Sequence, residues 1–259
     1  MDLAQIISGF AVGAIVGITG VGGGSLMTPL LVLLFGVAPA TAVGTDLLYA
    51  AITKSGGTFV HARRGNVDWS IVGLLAAGSI PAAALTLFVV SRFAPGGLGG
   101  AAHVIKFSLG VALLLTALAL VFRRRLQAWA RSHDVDTLPL RRRARLTVLT
   151  GAILGVLVSL SSVGAGALGV TALFFLYPKL PALRIVGADL AHAVPLTLVA
   201  GLGHWWLGSV DWTLLGTLLL GSLPGIFVGS HHAHRIPERV LRPTLAGMLV
   251  LVGTKLIAA

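Results

Sequence analysis

The stretch GITGVGGGSLMTP, from Gly17 to Pro29, places five glycines within eight residues, inside a run that carries no charge from Leu3 to Thr45. Glycine is a poor helix former, so a hydrophobic helix is expected to break here. A phosphate loop, a hinge and a broken membrane helix would each use glycine in this way. Nucleotide-binding fingerprints do not fit, because Ser25 stands at the last glycine position of G-x-G-x-x-G and no Gly-Lys-Ser/Thr follows.

The composition predicts an all-α polytopic membrane protein. Hydrophobic residues make up 56% of the chain and charged residues only 10%, whereas soluble domains carry about 25% charged residues. Uncharged runs occupy residues 3–45, 69–91, 146–178 and 212–230, and roughly 20 apolar residues span a bilayer as a helix. The alternating pattern of membrane strands is absent from these runs.

The net charge of +11 is concentrated in the middle of the chain, where eight arginines lie between Arg123 and Arg145. A basic stretch between hydrophobic spans is typical of a cytoplasmic loop that fixes topology. Contact with anionic lipid is a secondary role for such a stretch, and no nucleic-acid partner is expected. The chain has no cysteine, which excludes disulfides and thiolate metal sites. Its beginning lacks the basic region of a signal peptide.

Short motifs recur in the same order on both sides of the basic stretch. GAIVG at residue 13 matches GAILG at 151, VGTDL at 43 matches VGADL at 186, NVDW at 66 matches SVDW at 209, and GSIP at 78 matches GSLP at 221. The last three matches share an offset of 143 residues. We therefore predict a duplication, with repeat 1 at residues 1–122, an Arg-rich cytoplasmic loop at 123–145, and repeat 2 at 146–259.

Basic residues are distributed oppositely in equivalent loops. Loop 61–68 carries two arginines and its equivalent 204–211 carries none, whereas loop 36–42 carries none and its equivalent 178–184 carries a lysine and an arginine. Because basic loops stay cytoplasmic, we predict two inverted-topology repeats of about five helical segments each, a common build of secondary transporters. Both termini would be extracytoplasmic.

The same reasoning predicts two broken or re-entrant hairpins. Segments 3–35 and 146–177 must each enter and leave on one side within 32 or 33 residues, whereas two full crossings would need roughly 40. We expect two half-length helices joined by a non-helical tip, at residues 20–25 and 160–166. Helix N-termini and glycine backbone bind anions readily. The predicted substrate-binding residues are Gly20, Gly22, Gly23, Gly24 and Ser25 in the first tip, and Ser161, Ser162 and Gly164 in the second.

Ionisable residues inside spans are candidates for function. Lys54 would bind an anionic substrate or pair with an acid elsewhere in the fold. Asp46 and Asp189 occupy equivalent positions, and either proton coupling or a favourable interaction with a helix N-terminus would explain them. His192, one turn after Asp189, would relay a proton or form a buried hydrogen bond.

Other function classes are less well supported by the sequence. No HExxH or GxSxG motif occurs, so no enzymatic activity, catalytic residue or cofactor is expected. A passive anion channel stays an alternative, as does a permease for another small anion. A metal permease is also left open, since His231, His232 and His234 form a small cluster, although without acids at useful spacing; no metal site is assigned. The oligomeric state, a homodimer included, is open.

The motifs together resemble the TauE/SafE sulfite exporter family, also described as the toluene-sulfonate uptake permease family. The resemblance rests on the glycine block that ends at Pro29, on the motif GNVDW that ends at Trp69, and on GSIPAA, which begins at Gly78. A degenerate copy of these motifs follows in the second half of the chain. It implies an inner-membrane carrier of small sulfur-containing anions, such as sulfite or the organosulfonate sulfoacetate, with proton coupling. Asp46 departs from the small polar run that the family often has at this position.

Overall fold

The chain folds into helices throughout the part that the computed structural model describes, which is residues 3–19, 24–93, 102–132, 139–232 and 238–258. The described residues contain no strand, so the prediction of an all-α fold is confirmed. Within these described ranges, four helices, α4, α5, α6 and α8, are long and apolar enough to cross a membrane. The helices are α1 Leu3–Thr19, α2 Gly24–Leu33, α3 Pro39–Arg63, α4 Trp69–Phe93, α5 Ala102–Ser132, α6 Leu140–Ser161, α7 Ala167–Leu176, α8 Ala182–Trp206, α9 Trp212–His232 and α10 Glu238–Ala258.

The predicted hairpins are only partly half-length helices. α6 has 22 residues and α7 has 10, so α6 reaches about 33 Å at 1.5 Å per residue while α7 reaches about 15 Å. The difference arises because α6 begins at Leu140, inside the basic stretch that was predicted to be a loop. α5 also continues to Ser132, because arginine, leucine, glutamine and alanine all favour helix. Most of the Arg-rich segment is therefore helical, and its cytoplasmic location stays a prediction.

Two helix pairs, α1 with α9 and α4 with α6, cross where glycines let backbones touch. A methyl group on Gly9 or Gly13 would overlap the α9 backbone, and one on Gly151 or Gly155 would overlap the α4 backbone. By these contacts, Gly9 in the first half is structurally equivalent to Gly151 in the second, and Gly13 is equivalent to Gly155. Both pairs have an offset of 142 residues. The sequence match of GAIVG at residue 13 with GAILG at 151 is wrong by one helical turn, because glycines recur every four residues there.

The equivalent helices α3 and α8 pack against each other in opposite directions. Gly44, near the start of α3, lies against His204 near the end of α8, while Gly57 lies against Leu190. α5 and α10 cross in the same antiparallel sense, with Gly110 beside Ile257. Antiparallel packing of equivalent helices is what an inverted duplication requires. The orientation of the halves in a membrane stays a prediction.

The α3–α8 pair occupies the centre of the helix assembly. In α8, 61% of the most apolar window is buried, against 39% in α4 and in α6. α3 buries an almost continuous run from Ala40 to Ala51. Thr45 and Asp46 on α3, and Asp189 and His192 on α8, are therefore held away from the surface of the protein.

Candidate functional site

The second hairpin turns through a tight backbone loop between α6 and α7. Ser162 has a φ of 58°, Gly164 has a φ of 125° and Gly166 has a φ of 128°. Positive φ is rare for residues other than glycine, so the turn is specified by its sequence. The predicted non-helical tip at 160–166 is therefore present, although helix α6 extends through Ser161. The depth of this tip in a membrane stays a prediction.

Lys54 reaches this second tip from α3. Its Nζ donates a hydrogen bond of 2.9 Å to the carbonyl oxygen of Ala165, and only 7% of the residue is exposed. A buried ammonium group is costly unless it is hydrogen-bonded and compensated by charge. The carbonyl satisfies one of its three donors, and binding of an anion by Lys54 stays a prediction.

Asp189 is aligned with the N-terminal end of α7. The backbone N–H of Gly166 interacts with its carboxylate, and its Oδ1 packs directly on the α-carbon of Gly169. The positive end of the α7 dipole is thus next to a carboxylate of the protein itself. Asp189 is 2% exposed, and its Oδ1 has no hydrogen-bond donor.

Asp46 lies between the two hairpins. It accepts a hydrogen bond from the hydroxyl of Thr28 on α2, and the hydroxyl of Ser162 lies close to the same carboxylate. Asp46 Oδ1 and Ser162 Oγ are both buried without a hydrogen-bond partner. Asp46 therefore contacts side chains from both halves of the sequence.

Lys54 lies in the electrostatic field of both acids. Asp46 is eight residues before it on α3, about 12 Å along the helix axis, so a direct contact between the two is excluded by helix geometry unless the helix bends. The three groups form one buried cluster that carries two potential negative charges and one positive charge. We call Asp46, Lys54 and Asp189 the central charge cluster.

His192 and the serines of the tip complete this polar region. His192 Nε2 shares a hydrogen bond of 2.8 Å with the hydroxyl of Ser79 on α4, while its Nδ1 has no partner. Ser161 is engaged within its own turn, because its hydroxyl donates to the Leu157 carbonyl at 2.6 Å and accepts from the Val163 N–H. Of the two predicted serine donors, Ser161 is therefore occupied within its own turn, whereas the Ser162 hydroxyl faces the Asp46 carboxylate.

The first tip falls largely outside the described residues. Gly20, Gly22 and Gly23 lie there, and nothing in the structure tests their predicted role. Gly24 is the first residue of α2 and Ser25 follows it in the same helix. Among the described residues, no group of three or more His, Cys, Asp or Glu side chains could hold a metal ion; His234 lies outside those residues.

Two polar residues of the site, Thr28 and Ser79, were missed by the sequence reasoning. Both are fully buried. The repeat itself contained the signal, because Thr28 matches Thr171 and Ser79 matches Ser222 at the offset of 143. A hydroxyl kept in both copies of an apolar helix indicates a role in the polar centre.

Comparison with known proteins supports a transport function. The family model "Sulfite exporter TauE/SafE" matches residues 5–256. A "Probable membrane transporter protein YjnA" of Bacillus subtilis (strain 168) is 40% identical over 257 residues, covering 99% of this chain and 100% of the relative. A second relative from that organism, "Probable membrane transporter protein YdhB", is 29% identical and covers 93% of this chain and 97% of its own length. No solved structure matches the chain. The chain is a multi-pass membrane transporter, and it belongs to the TauE/SafE sulfite exporter family.

Proposed function

We propose that this transporter carries small sulfur-containing anions, sulfite or an organosulfonate such as sulfoacetate, together with protons. The observation that carries the proposal is the buried ammonium group of Lys54 on the tip carbonyl of Ala165. The sulfur in the substrate is supported by the family alone, since a lysine and hydroxyl groups would bind other small oxyanions as well. Alternating access about this central cluster would move the anion from one side to the other.

Anion binding needs donors, and the tip offers them near Lys54. Two donors of the ammonium group remain after its bond to Ala165, and the hydroxyl of Ser162, which lies close to the Asp46 carboxylate, would be released to an anion when that carboxylate is protonated. A sulfonate or sulfite oxygen that met these groups would form charge-assisted hydrogen bonds, which are stronger than neutral ones. Displacing the Ala165 carbonyl from Lys54 would at the same time loosen the tip from α3.

The two acids explain why protons would travel with the anion. With Asp46, Asp189 and Lys54 all ionised, the central charge cluster has a net charge of −1 and repels an anion. Protonation of both acids makes it +1, and the anion is then attracted. In a site of low effective dielectric such a change is large, so binding of the anion and binding of protons favour each other.

The test is flux into proteoliposomes, with sulfite, thiosulfate, sulfoacetate, taurine and carboxylate analogues compared at equal concentration. We expect saturable uptake of at least one sulfur anion that rises with an imposed proton gradient. Lys54→Ala should abolish it, while Lys255→Ala, which removes an exposed lysine at the end of α10, should not. Uptake that does not saturate and ignores the gradient would instead indicate a passive channel.

Proton coupling is tested by a separate pair of variants. Asp46→Asn and Asp189→Asn keep the size of the side chain but each removes one of the two negative charges, so the ionised cluster becomes neutral and the anion should bind with one proton fewer. We expect each variant to bind the anion at higher pH than the unmodified protein and to accumulate less anion from the same proton gradient. Asp211→Asn is the control, because its carboxylate caps the Leu214 N–H outside the cluster and asparagine caps equally well. Unchanged coupling in both cluster variants would contradict the assignment.

The orientation in the bacterial inner membrane is also a proposal, supported by loop charge. Arg63 and Trp206 end the equivalent helices α3 and α8 and are both exposed. Because the chain has no cysteine, Arg63→Cys and Trp206→Cys give single labelling sites. A membrane-impermeant maleimide should label only the cysteine at 206 from outside intact cells. Labelling of both from the same side would refute the inverted arrangement.

A further inference from the structure

A groove of about 940 Å³ runs along the outer surface of α5, α6 and α7. Its walls are almost entirely hydrophobic, and large side chains such as Leu118, Leu149 and Ile153 are more than half exposed in it. None of the residues of the central charge cluster lines it. In a multi-pass membrane protein an exposed apolar groove of this kind is next to acyl chains.

One end of the groove is basic. Arg125 lines it and follows closely after Phe122, where the apolar span of α5 ends. On α6, Arg142 lies one turn before Leu146 and two turns before Leu149, which both line the groove, so it shares their face of the helix.

Aromatic contacts show that both helices bring these arginines to the same end. Trp129 of α5 stacks on Phe175 near the end of α7, with ring centroids 5.4 Å apart. The guanidinium of Arg143, at the start of α6, lies 5.5 Å from the ring centroid of Tyr177, just past the end of α7. The basic end is therefore where the apolar spans of α5 and α6 meet the polar residues, at the level of lipid headgroups.

We propose that this groove binds an anionic phospholipid, with its acyl chains along the apolar walls and its phosphate between Arg125 and Arg142. Guanidinium groups bind phosphate through paired hydrogen bonds, and basic pockets between membrane helices bind anionic headgroups. The two side chains are exposed, so they reach a headgroup without moving the helices.

Charge favours a lipid over a second copy of the chain as the occupant. A two-fold dimer through this surface would place the same basic end against itself or beside it, and like charges would repel. A smaller groove of about 520 Å³ lies beside it along α5, shares Leu115, Leu118 and Phe122 with it, is bounded also by Val250 of α10, and has only apolar lining. Such a groove would take acyl chains without selecting the headgroup, so the selectivity proposed here depends on the arginines.

The test is retention of lipid by the full-length protein, reconstituted in equal amounts of phosphatidylglycerol and phosphatidylcholine and examined by native mass spectrometry. The unmodified protein should retain phosphatidylglycerol preferentially. In the double variant Arg125→Gln/Arg142→Gln, the ratio of retained phosphatidylglycerol to phosphatidylcholine should fall about 25-fold, since each arginine near an anionic surface contributes roughly fivefold to binding. Arg63→Gln/Arg64→Gln removes the same charge from exposed residues at the end of α3 and should keep the preference.

Three outcomes would overturn the proposal. The first is equal retention of both lipids by the unmodified protein. The second is an equal loss in both double variants, which would mean that total charge and not the groove selects the lipid. The third is rapid disulfide formation between copies of the Ile153→Cys variant in the presence of phosphatidylglycerol, which would show that a second chain fills the groove.

Discussion

The two halves of the molecule are alike in their scaffold and different at their centre. α3 and α8 each carry an aspartate at the equivalent position, Asp46 and Asp189. At the middle of the same helices, however, Lys54 of α3 corresponds to Thr197 of α8, whose hydroxyl donates to the Ala193 carbonyl at 2.8 Å and to the Val194 carbonyl at 3.3 Å, both in its own helix.

In the proposed mechanism, this difference separates the parts that would support motion from the part that would bind the anion. Equivalent contacts at both ends of α3 and α8 would let the halves exchange conformations, as alternating access needs. A single lysine between two acids would give one binding site rather than two. We infer that the scaffold kept its symmetry while the site lost it.

The strongest test moves the lysine to the other half. Lys54→Thr should lower saturable flux by at least about 30-fold, because removal of one partner from a buried, hydrogen-bonded charge typically costs 2–5 kcal/mol. Lys54→Thr/Thr197→Lys restores the amine at the equivalent position, where the two acids exchange places around it. We expect part of the flux to return, measured in the same proteoliposome assay.

The control for this exchange is Thr197→Ser, which keeps the hydroxyl and should transport normally. Thermal unfolding of each variant in detergent shows whether it is folded. No recovery in a folded exchange variant would mean that the second tip, with Ser162 and the Ala165 carbonyl, is needed in addition to the charge pattern.

The second test concerns the residues beside the two acids. Gly169 lies against the Asp189 carboxylate, whereas the equivalent residue in the first half is Leu26, and Asp46 instead accepts a bond from Thr28. Gly169→Ala should displace the carboxylate and destabilise the protein by about 1–3 kcal/mol, as overpacking does. Thermal unfolding and the pH dependence of anion binding measure the two consequences.

Two equivalent glycines provide a matched control for that substitution. Gly73 and Gly216 have no atom within 4 Å of the position that a methyl group would occupy. Gly73→Ala and Gly216→Ala should be neutral or stabilising by about 0.5–1 kcal/mol, because alanine favours helix. A Gly169→Ala variant that behaves like these two would contradict the close packing at Asp189.

The sequence predicted the helical membrane fold and the approximate position of the second tip because both are recorded in side chains. Low charge content requires lipid contact, and glycines mark the turn. The partner of Lys54 could not be predicted, since it is the backbone carbonyl of Ala165 and any residue could supply one. The length of α6 was underestimated because uncharged runs were equated with helices, whereas arginines continue a helix well.

The smallest loss of stability is expected at an ion pair near the start of α8, and a buried hydrogen bond in the other half provides the contrast. The Asp68–Arg184 ion pair is 3.6 Å long with side chains 23% and 44% exposed, so Arg184→Gln should cost about 0.2–1 kcal/mol. At the equivalent place in the other half, the Asp211 N–H donates at 3.0 Å to the buried hydroxyl of Thr45, and Thr45→Val should cost about 1–3 kcal/mol by leaving that donor unpaired.

Salt distinguishes the ion pair from the buried hydrogen bond. Screening should weaken the ion pair, so the difference between Arg184→Gln and the unmodified protein should shrink at high ionic strength in thermal unfolding. The effect of Thr45→Val should not change with salt. A salt-independent effect at Arg184 would mean that its packing, and not its charge, holds this end of α8 to the loop after α3.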